Sequence, residues 1–576
     1  MRHTALLFPA LLVTLSYANA ATGDAPSHSI AVDQAGYLMG APKLAMVITS
    51  EKKPASKFTL RDATAGSVAF FGALSAGKHD ADSGDFVETA DFSSFDKPGS
   101  YYLEVPGVGR SWTFAIGKDV YRRAYYLAMR SYYGQRCGTA VDLGPEFPGY
   151  KHGPCHLSGA YHASSGKTGE APSHNGWHDA GDYGRYVVNS GISTGTLLWT
   201  YELFSKRIGA VKLALPDGSA TTPDILTEIR WNLEWMLSMQ DVDGGVWHKQ
   251  TSDHFPGFIP PDQDTLVSYV IGTGQNPYKS SCATADFAAV MAIAARVYAP
   301  FDDSFATQTR QAAESAWRWL EHNPSVLFHN PAGISTGEYG DQHCSDERFW
   351  AAAELARTTF GNTYHEYIRT HYHDFLETIR PDDPPSWSNV AALGLWSYAL
   401  AKRGDQDAIA AVVGRSTQAA SEIAERTAQN GYRIPLTSHD YIWGSNGVLG
   451  NYALQLLVAD RLHPDARFRQ AAWESLHYLL GRNTFSLSFV TQVGQNAVLH
   501  PHHRPSGASG LPLPWPGLLS GGPNRGRQDP AAQKMLPAGL PPARNFVDVT
   551  EAYSLNEVAI NWNAPLVFVL ASTLPE

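Results

Sequence analysis

The sequence predicts two unlike parts in one chain: a small all-β sandwich near the N-terminus, followed by a much larger all-α domain. Three observations carry this. Residues 28–116 fall into short, alternating, turn-bounded runs. From residue 119 the apolar period lengthens from about 2 to about 3.6. Twelve such helical stretches then recur, joined by long Gly/Pro-rich connections. With 576 residues, 43% hydrophobic and only 17% charged, the chain has ample material for large cores.

The elements follow in order. "MRHTALLFPALLVTLSYANA" has a basic start, an apolar run over 5–15 and small residues at Ala18 and Ala20. Residues 1–20 therefore read as a secretory signal peptide, which implies a secreted or periplasmic bacterial protein. The run is too short to span a bilayer, and no later segment is read as long and apolar enough. Next, "KFTLRDA", "SVAFFGAL", "DFVETADFSSF", "GSYYLEV" and "SWTFAIG" are strand-like, and the sandwich should hold roughly seven strands. Lacking cysteine and any cluster of catalytic groups, it reads as a supporting or binding module. Helices are predicted at 119–134, 188–207, 223–240, 284–299, 305–322, 346–359, 363–377, 388–403, 406–428, 445–460, 466–480 and 556–573, so the helical domain spans 119–576. In 223–240, Ile225, Leu226, Ile229, Leu233, Met236 and Leu237 form one apolar face. The longest irregular stretch, 501–545, is of a length usually tied to function.

Composition narrows the partners. A net charge of −11 with no Lys/Arg block disfavours nucleic acid. Aromatics reach 11%, including 15 Trp and 27 Tyr, and such rings often line grooves where flat ligands stack. No membrane association and no organic cofactor are indicated, and a monomer is the plain expectation.

Three polar clusters carry potential chemistry. In "NGWHDAGDYGRYV", Asp179 and Asp182 converge on one face if the chain takes a helical turn, while Gly176 and Gly181 would let backbone approach a ligand. Like charges so close raise one pKa, so one carboxylate can act as a base while the other orients water. An N-cap pair or a metal-binding loop has the same spacing. In "NFVDVTEAYSLNEVAINWNAPLVFVLA", Glu557 opens an apolar helix, where desolvation would favour its protonated form. A helix N-terminal charge serving the dipole is the alternative. Between them, "SFVTQVGQNAVLHPHHRPS" offers a His-His-Arg cluster to an oxygen-rich ligand, or a solvated basic loop.

On these motifs the chain resembles glycoside hydrolase family 9, in the subgroup with an N-terminal immunoglobulin-like domain. One family signature is matched by Ser488, Val490, Thr491, Gly494, Asn496, His502 and Arg504, the other by Phe546, Asp548, Tyr553, Glu557, Ala559, Asn563 and Ala564. The resemblance covers about residues 28–576. It implies an immunoglobulin-like sandwich, an (α/α)6 barrel and an inverting β-1,4-glucan hydrolase. By matching position, Asp182 would be the general base, Asp179 would help to hold the water and Glu557 would be the general acid. Base and acid should then stand roughly 6.5–9.5 Å apart. Asp548 would be a further active-site carboxylate. His502, His503 and Arg504 would bind sugar hydroxyls, and His178, Tyr553 and Trp562 would complete the substrate site. The family often has tyrosine where Trp562 stands and aspartate where Asn561 stands.

Metals form a separate question. Cys137, His152, Cys155 and His156 lie within twenty residues and make a closed, structural zinc set; a Cys137–Cys155 disulfide is the rival. Family members carry zinc at a cysteine and a Cys-His pair like these, but Gly138 follows the first cysteine here. His152 is the preferred fourth ligand and His174 the alternative. Cys282 and Cys344 read as ordinary buried thiols. Asp346 and Glu347 stand where the family often binds calcium, although an acidic first helical turn looks the same.

The combined reading is a secreted inverting endo-β-1,4-glucanase acting on cellulose-type or mixed-linkage glucan. The 505–545 loop could close the cleft and turn it into an exo-acting cellodextrinase or glucosaminidase. A non-catalytic carbohydrate-binding protein would require loss of a carboxylate. A zinc hydrolase would require an open metal position, which four protein ligands do not leave.

Overall fold

The structure, a computed structural model, describes residues 25–576; the leader read at 1–20 lies outside the described residues. Two sheets form the N-terminal sandwich. One has the spatial order Ile30–Ala31, Leu44–Thr49, Phe86–Asp91, Lys78–His79. The other runs Tyr37–Leu38, Phe114–Gly117, Gly99–Val105, Lys57–Asp62, Val68–Ala73, with Gly109–Arg110 folded back on Gly99–Val105. Period-2 patterning decides what is buried. Tyr101, Leu103 and Val105 turn inward from one strand to meet Phe58, Leu60, Phe92 and Phe114. In Leu44–Thr49 both faces are covered: Ala45 and Val47 serve the sandwich core, while Leu44 and Met46 join the core of the helical domain. The first sheet is thus a wall shared by both parts.

Twelve helices of ten or more residues follow among the described residues, and each overlaps one of the predicted stretches. Val187–Ile208, Ser281–Tyr298, Ser345–Thr359, Ala391–Leu400, Ser445–Leu462 and Ile560–Thr573 pack in succession, and the last returns to the first. The other six long helices lie outside this ring, giving an (α/α)6 barrel. The sequence pattern explains the sorting. Outer helices such as Asp303–His322 bury one stripe, built on Phe305, Ala312, Ala316 and Leu320. Inner helices are covered on all sides and lose that periodicity. Ser281–Tyr298 is therefore long and apolar enough to cross a membrane, against the sequence expectation, but it is an inner barrel helix and almost wholly buried.

Polar contacts lock the sandwich to the barrel. The Asp33 carboxylate accepts the Tyr121 hydroxyl at 2.9 Å and lies 2.8 Å from His477 Nδ1. Gln34 uses its whole amide: Oε1 accepts Gln495 N (2.9 Å) and Asn496 N (2.7 Å), and Nε2 donates to Ser486 O and Asn496 O. Asp85 accepts from Tyr432 at 2.5 Å and Thr484 at 2.7 Å and pairs with Arg544. Cys282 and Cys344, expected as free thiols, form a disulfide. It joins the starts of two neighbouring inner helices. Cys137 and Cys155 are free, which rules out the rival disulfide in this structure.

Candidate active site

Asp179 and Asp182 sit in a loop that leads into the strand Arg185–Tyr186 and the first inner helix. The loop is not the helical turn expected from the spacing; Asp179 N bonds Gly184 O at 2.9 Å and closes it. Its glycines admit protein rather than ligand. A Cβ on Gly181 would stand 2.0 Å from the His502 carbonyl oxygen, and one on Gly176 would meet Trp235 and Arg185. Asp182 Oδ2 accepts Gly184 N (3.0 Å) and the Tyr186 hydroxyl (3.2 Å). Asp179 accepts Asn189 Nδ2 at 2.5 Å on one oxygen and the Tyr339 hydroxyl at 2.6 Å on the other. Burial, followed by the charge of Asp182, pushes Asp179 up to about 7.

Glu557 comes from the other end of the chain. It does not open the last helix but lies extended between Tyr553–Asn556 and Ile560–Thr573. His502 forms a parallel bridge with it, through His502 N to Asn556 O at 2.8 Å. Ile560 N reaches back to Asp179 O at 2.9 Å, so the two carboxylate loops are stitched together. Trp443 Nε1 donates to Glu557 Oε2 at 3.1 Å. Burial, then Asp182 and Asp179, push Glu557 up to about 8. His502 Nδ1 is 2.7 Å from Thr550 O. A carbonyl only accepts, so that nitrogen carries the hydrogen and Nε2 is left as an acceptor.

These groups line one cleft of about 850 Å³. Of the residues singled out in the sequence, Asp179, Asp182, His502, Arg504, Tyr553, Glu557 and Trp562 reach it. Its walls add Tyr186, Phe255, Tyr339, Trp387 and Trp443, which sequence reasoning missed. Tyr186 lay inside the motif read for Asp179 and Asp182, and Tyr339 stood at the head of the acidic stretch read for calcium, but Phe255, Trp387 and Trp443 are lone aromatics on separate loops. No residue of 505–545 lines the cleft. That segment packs inward through Leu518–Ser520 and clamps the sandwich through Ala543 and Arg544.

Other predicted residues stand elsewhere. His503 is buried, with Nε2 2.9 Å from Gln135 Oε1 and Nδ1 2.8 Å from Ser506 Oγ. Asp548 accepts Leu499 N, His500 N and Asn556 Nδ2, and so ties together the paired segments that lead to His502 and Glu557 without lining the cleft. His178, read as a sugar ligand, instead belongs with Cys137, Cys155 and His156: their ligand atoms lie within 4.8 Å of one another. His152, the expected fourth member, turns Nδ1 to Gly153 O at 2.7 Å, and His174 is exposed. The cause is topological. His178 follows Trp177, which bridges Arg136, so the chain returns to the first thiol from the catalytic loop and not from the nearby hairpin.

Two thiols and two imidazoles suit a closed tetrahedral metal site, and Asp264 Oδ2, 3.2 Å from His156 Nε2, is placed to orient that ring. Asp346 is already engaged by Val390 N and His343. Glu347 and Asp286 are buried, and all four of their carboxyl oxygens lack a partner. Among the described residues, these carboxyls are not drawn together as tightly as the thiol–imidazole set.

A family model for glycosyl hydrolase family 9 matches residues 121–570, and one for the cellulase N-terminal Ig-like domain matches 25–110. Endoglucanase D of Acetivibrio thermocellus is 38% identical over 497 residues, covering 85% of this chain and 76% of that protein. A cellodextrinase of Butyrivibrio fibrisolvens is 34% identical over 95% of this chain and 99% of its own. Among solved structures, a Zn-binding triple mutant of the family 9 endoglucanase J30 superposes with a TM-score of 0.86 at 38% identity, covering 93% of this chain and 99% of that one. With its three carboxylates in one cleft, the chain is a glycoside hydrolase and belongs to glycosyl hydrolase family 9.

Proposed function

We propose that the enzyme is an inverting endo-β-1,4-glucanase. The observation that carries this is the meeting of an acid and a carboxylate pair in one aromatic-walled cleft, with Glu557 pushed up to about 8 and so protonated at neutral pH. Glu557 then donates its proton to the departing glycosidic oxygen, held towards it by Trp443. Asp182 takes a proton from water as the water oxygen bonds to the anomeric carbon on the face opposite the departing oxygen. Both of its hydrogen bonds fall on Oδ2, which leaves Oδ1 for that water. Asp179, fixed by Asn189 and Tyr339, accepts the other water hydrogen. His502 and Arg504 bind sugar hydroxyls, and the exposed faces of Trp443 and the neighbouring rings stack on pyranose faces.

Internal cleavage is favoured because no residue of 505–545 lines the cleft: the segment packs into the barrel at 518–523 and against the sandwich at Ala543 and Arg544. Carboxymethyl-cellulose followed by viscosity and reducing ends together tests it, beside Glu557→Gln. A fast viscosity drop for few new ends, lost in the variant, is expected. Reducing sugar without viscosity loss would instead support the exo-acting reading.

Cys137, Cys155, His156 and His178 would hold a structural zinc, supplying a rigid cross-link under the catalytic loop. Metal analysis of Cys155→Ser tests this by loss of one zinc per chain. A hard cation such as calcium would suit the unpartnered oxygens of Glu347 and Asp286 beside Asp346, and calcium titration calorimetry tests that. Export through the 1–20 leader is supported by the Cys282–Cys344 disulfide, which suits an oxidising compartment.

A further inference from the structure

Lys249 is fully buried beside the cleft, and its chemistry is unaccounted for by the catalytic roles above. It lies in the strand Lys249–Thr251, opposite Tyr186, whose hydroxyl bonds Asp182. Its ammonium donates to Gly337 O (2.7 Å), Asn330 Oδ1 (2.7 Å), Thr336 Oγ1 (3.1 Å) and Thr336 O (3.3 Å). It also stands 5.6 Å from the ring centroids of both Tyr186 and Phe328.

Burying a lysine without a paired carboxylate is costly, and an apolar side chain would fill the same space. What the ammonium provides is order in a wall. Thr336 and Gly337 line the cleft, and two residues further on Tyr339 holds a left-handed φ of 48° while donating to Asp179. Asn330 reinforces the arrangement by donating Nδ2 to Thr336 O at 2.8 Å. The carbonyls that Lys249 gathers therefore set the backbone from which Tyr339 reaches the catalytic pair.

We infer that Lys249 is a positioning residue for hydrolysis: it fixes the 335–339 wall, and with it Tyr339 on Asp179, and in its protonated form it places a positive charge behind Tyr186 and Asp182. The inference rests on the hydrolytic roles given to the three carboxylates. The titratable groups around it are Asp182 and Tyr186 on the catalytic side, Glu338 and Tyr339 on the wall, and His248 next in its own strand. Burial holds His248 neutral, down at about 3. Burial also draws Lys249 down to about 7, against the opposing pull of Asp182 and Glu338.

The test uses the full chain and a soluble cello-oligosaccharide. Kcat, KM, melting and the pH–rate profile are measured for Lys249→Met, Asn330→Ala and Asp182→Asn. Lys249→Met should fold, lose about 30-fold or more in kcat with KM within about 3-fold, and shift the acidic limb of the profile upward. A folded Lys249→Met with kcat within about 3-fold and an unmoved limb, beside an inactive Asp182→Asn, overturns this inference alone. Retained activity in Asp182→Asn overturns the carboxylate roles and this inference with them. If Lys249→Met does not fold, Asn330→Ala decides: a kcat loss of about 5-fold supports the inference, and an unchanged kcat refutes it.

Discussion

Gly181→Ala should be among the most damaging single-methyl changes in the enzyme. The added Cβ would stand 2.0 Å from the His502 carbonyl oxygen and 2.9 Å from its carbon. An ordinary C···O contact is about 3.3 Å, so the two loops must part by about 1.3 Å. Neither obstacle is a flexible side-chain end. His502 is bridged to Glu557, and Gly181 O accepts both Arg504 N (3.1 Å) and Arg504 Nη1 (2.9 Å). Parting the loops therefore moves the acid's support away from the base's loop. A misplacement of about 1 Å at a reacting centre costs on the order of 10²-fold in rate. The variant is assayed for kcat/KM on a soluble cello-oligosaccharide, with circular dichroism and melting recorded alongside. A folded Gly181→Ala with activity within about 3-fold of the parent would refute the idea that this contact sets the distance between the catalytic loops.

Three further outcomes follow from other parts of the molecule. Because Glu557 is raised from about 4.5 to about 8, the stability it contributes is fully present below about pH 4.5 and lost as pH rises through 8. Glu557→Gln should accordingly gain ~2–4 °C in melting temperature over the parent at pH 9 relative to the gap at pH 5, a modest figure because the carboxyl is partly open to the cleft; an equal gap at both pH values would contradict it. Gln34→Ala strands two backbone N–H groups and should cost about 2–4 kcal/mol in denaturant unfolding, with reduced activity because 495–496 lead to His502; a cost below about 0.5 kcal/mol would rule the clamp out. Replacing Cys282 and Cys344 by alanine removes a cross-link between residues 62 apart, worth about 4 kcal/mol by chain entropy, and the loss should be matched by adding reductant to the parent.

Periodicity made the architecture legible. All twelve long helices lie where the 3.6-residue period put them, and the strand runs alternate as their sandwich requires. The cleft was legible only where two dense motifs carried it. Asp179, Asp182, His502, Arg504 and Glu557 share it, but neither the loop form of 178–184 nor the extended backbone at Glu557 follows from a local pattern, since both depend on what crosses them. His178 and His152 illustrate the limit. Sequence proximity favoured His152, but the chain brings His178 to Cys155 by way of the Arg136–Trp177 bridge, a contact between residues 41 positions apart in number. Lys249 carried no signal, because a lysine within a strand usually reads as solvent-exposed. The disulfide was hidden for the same reason: its partners are 62 residues apart and meet only when two inner helices pack.

The stitching of sandwich to barrel also bears on the order in which the molecule can come into being. Gln34 finds its partners at 486–496, Asp85 finds Tyr432, Thr484 and Arg544, and the helix ring closes only when Ile560–Thr573 meets Val187–Ile208. At roughly 5–20 residues per second, a ribosome needs on the order of a minute between making Gln34 and making its binding groove. During that interval the shared sheet face, with Leu44 and Met46, is still uncovered. Asp182 likewise waits for Glu557, which is made only after the other eleven long helices. No nascent fragment that stops short of Ile560–Thr573 can hold a working cleft, so hydrolytic competence waits for that helix.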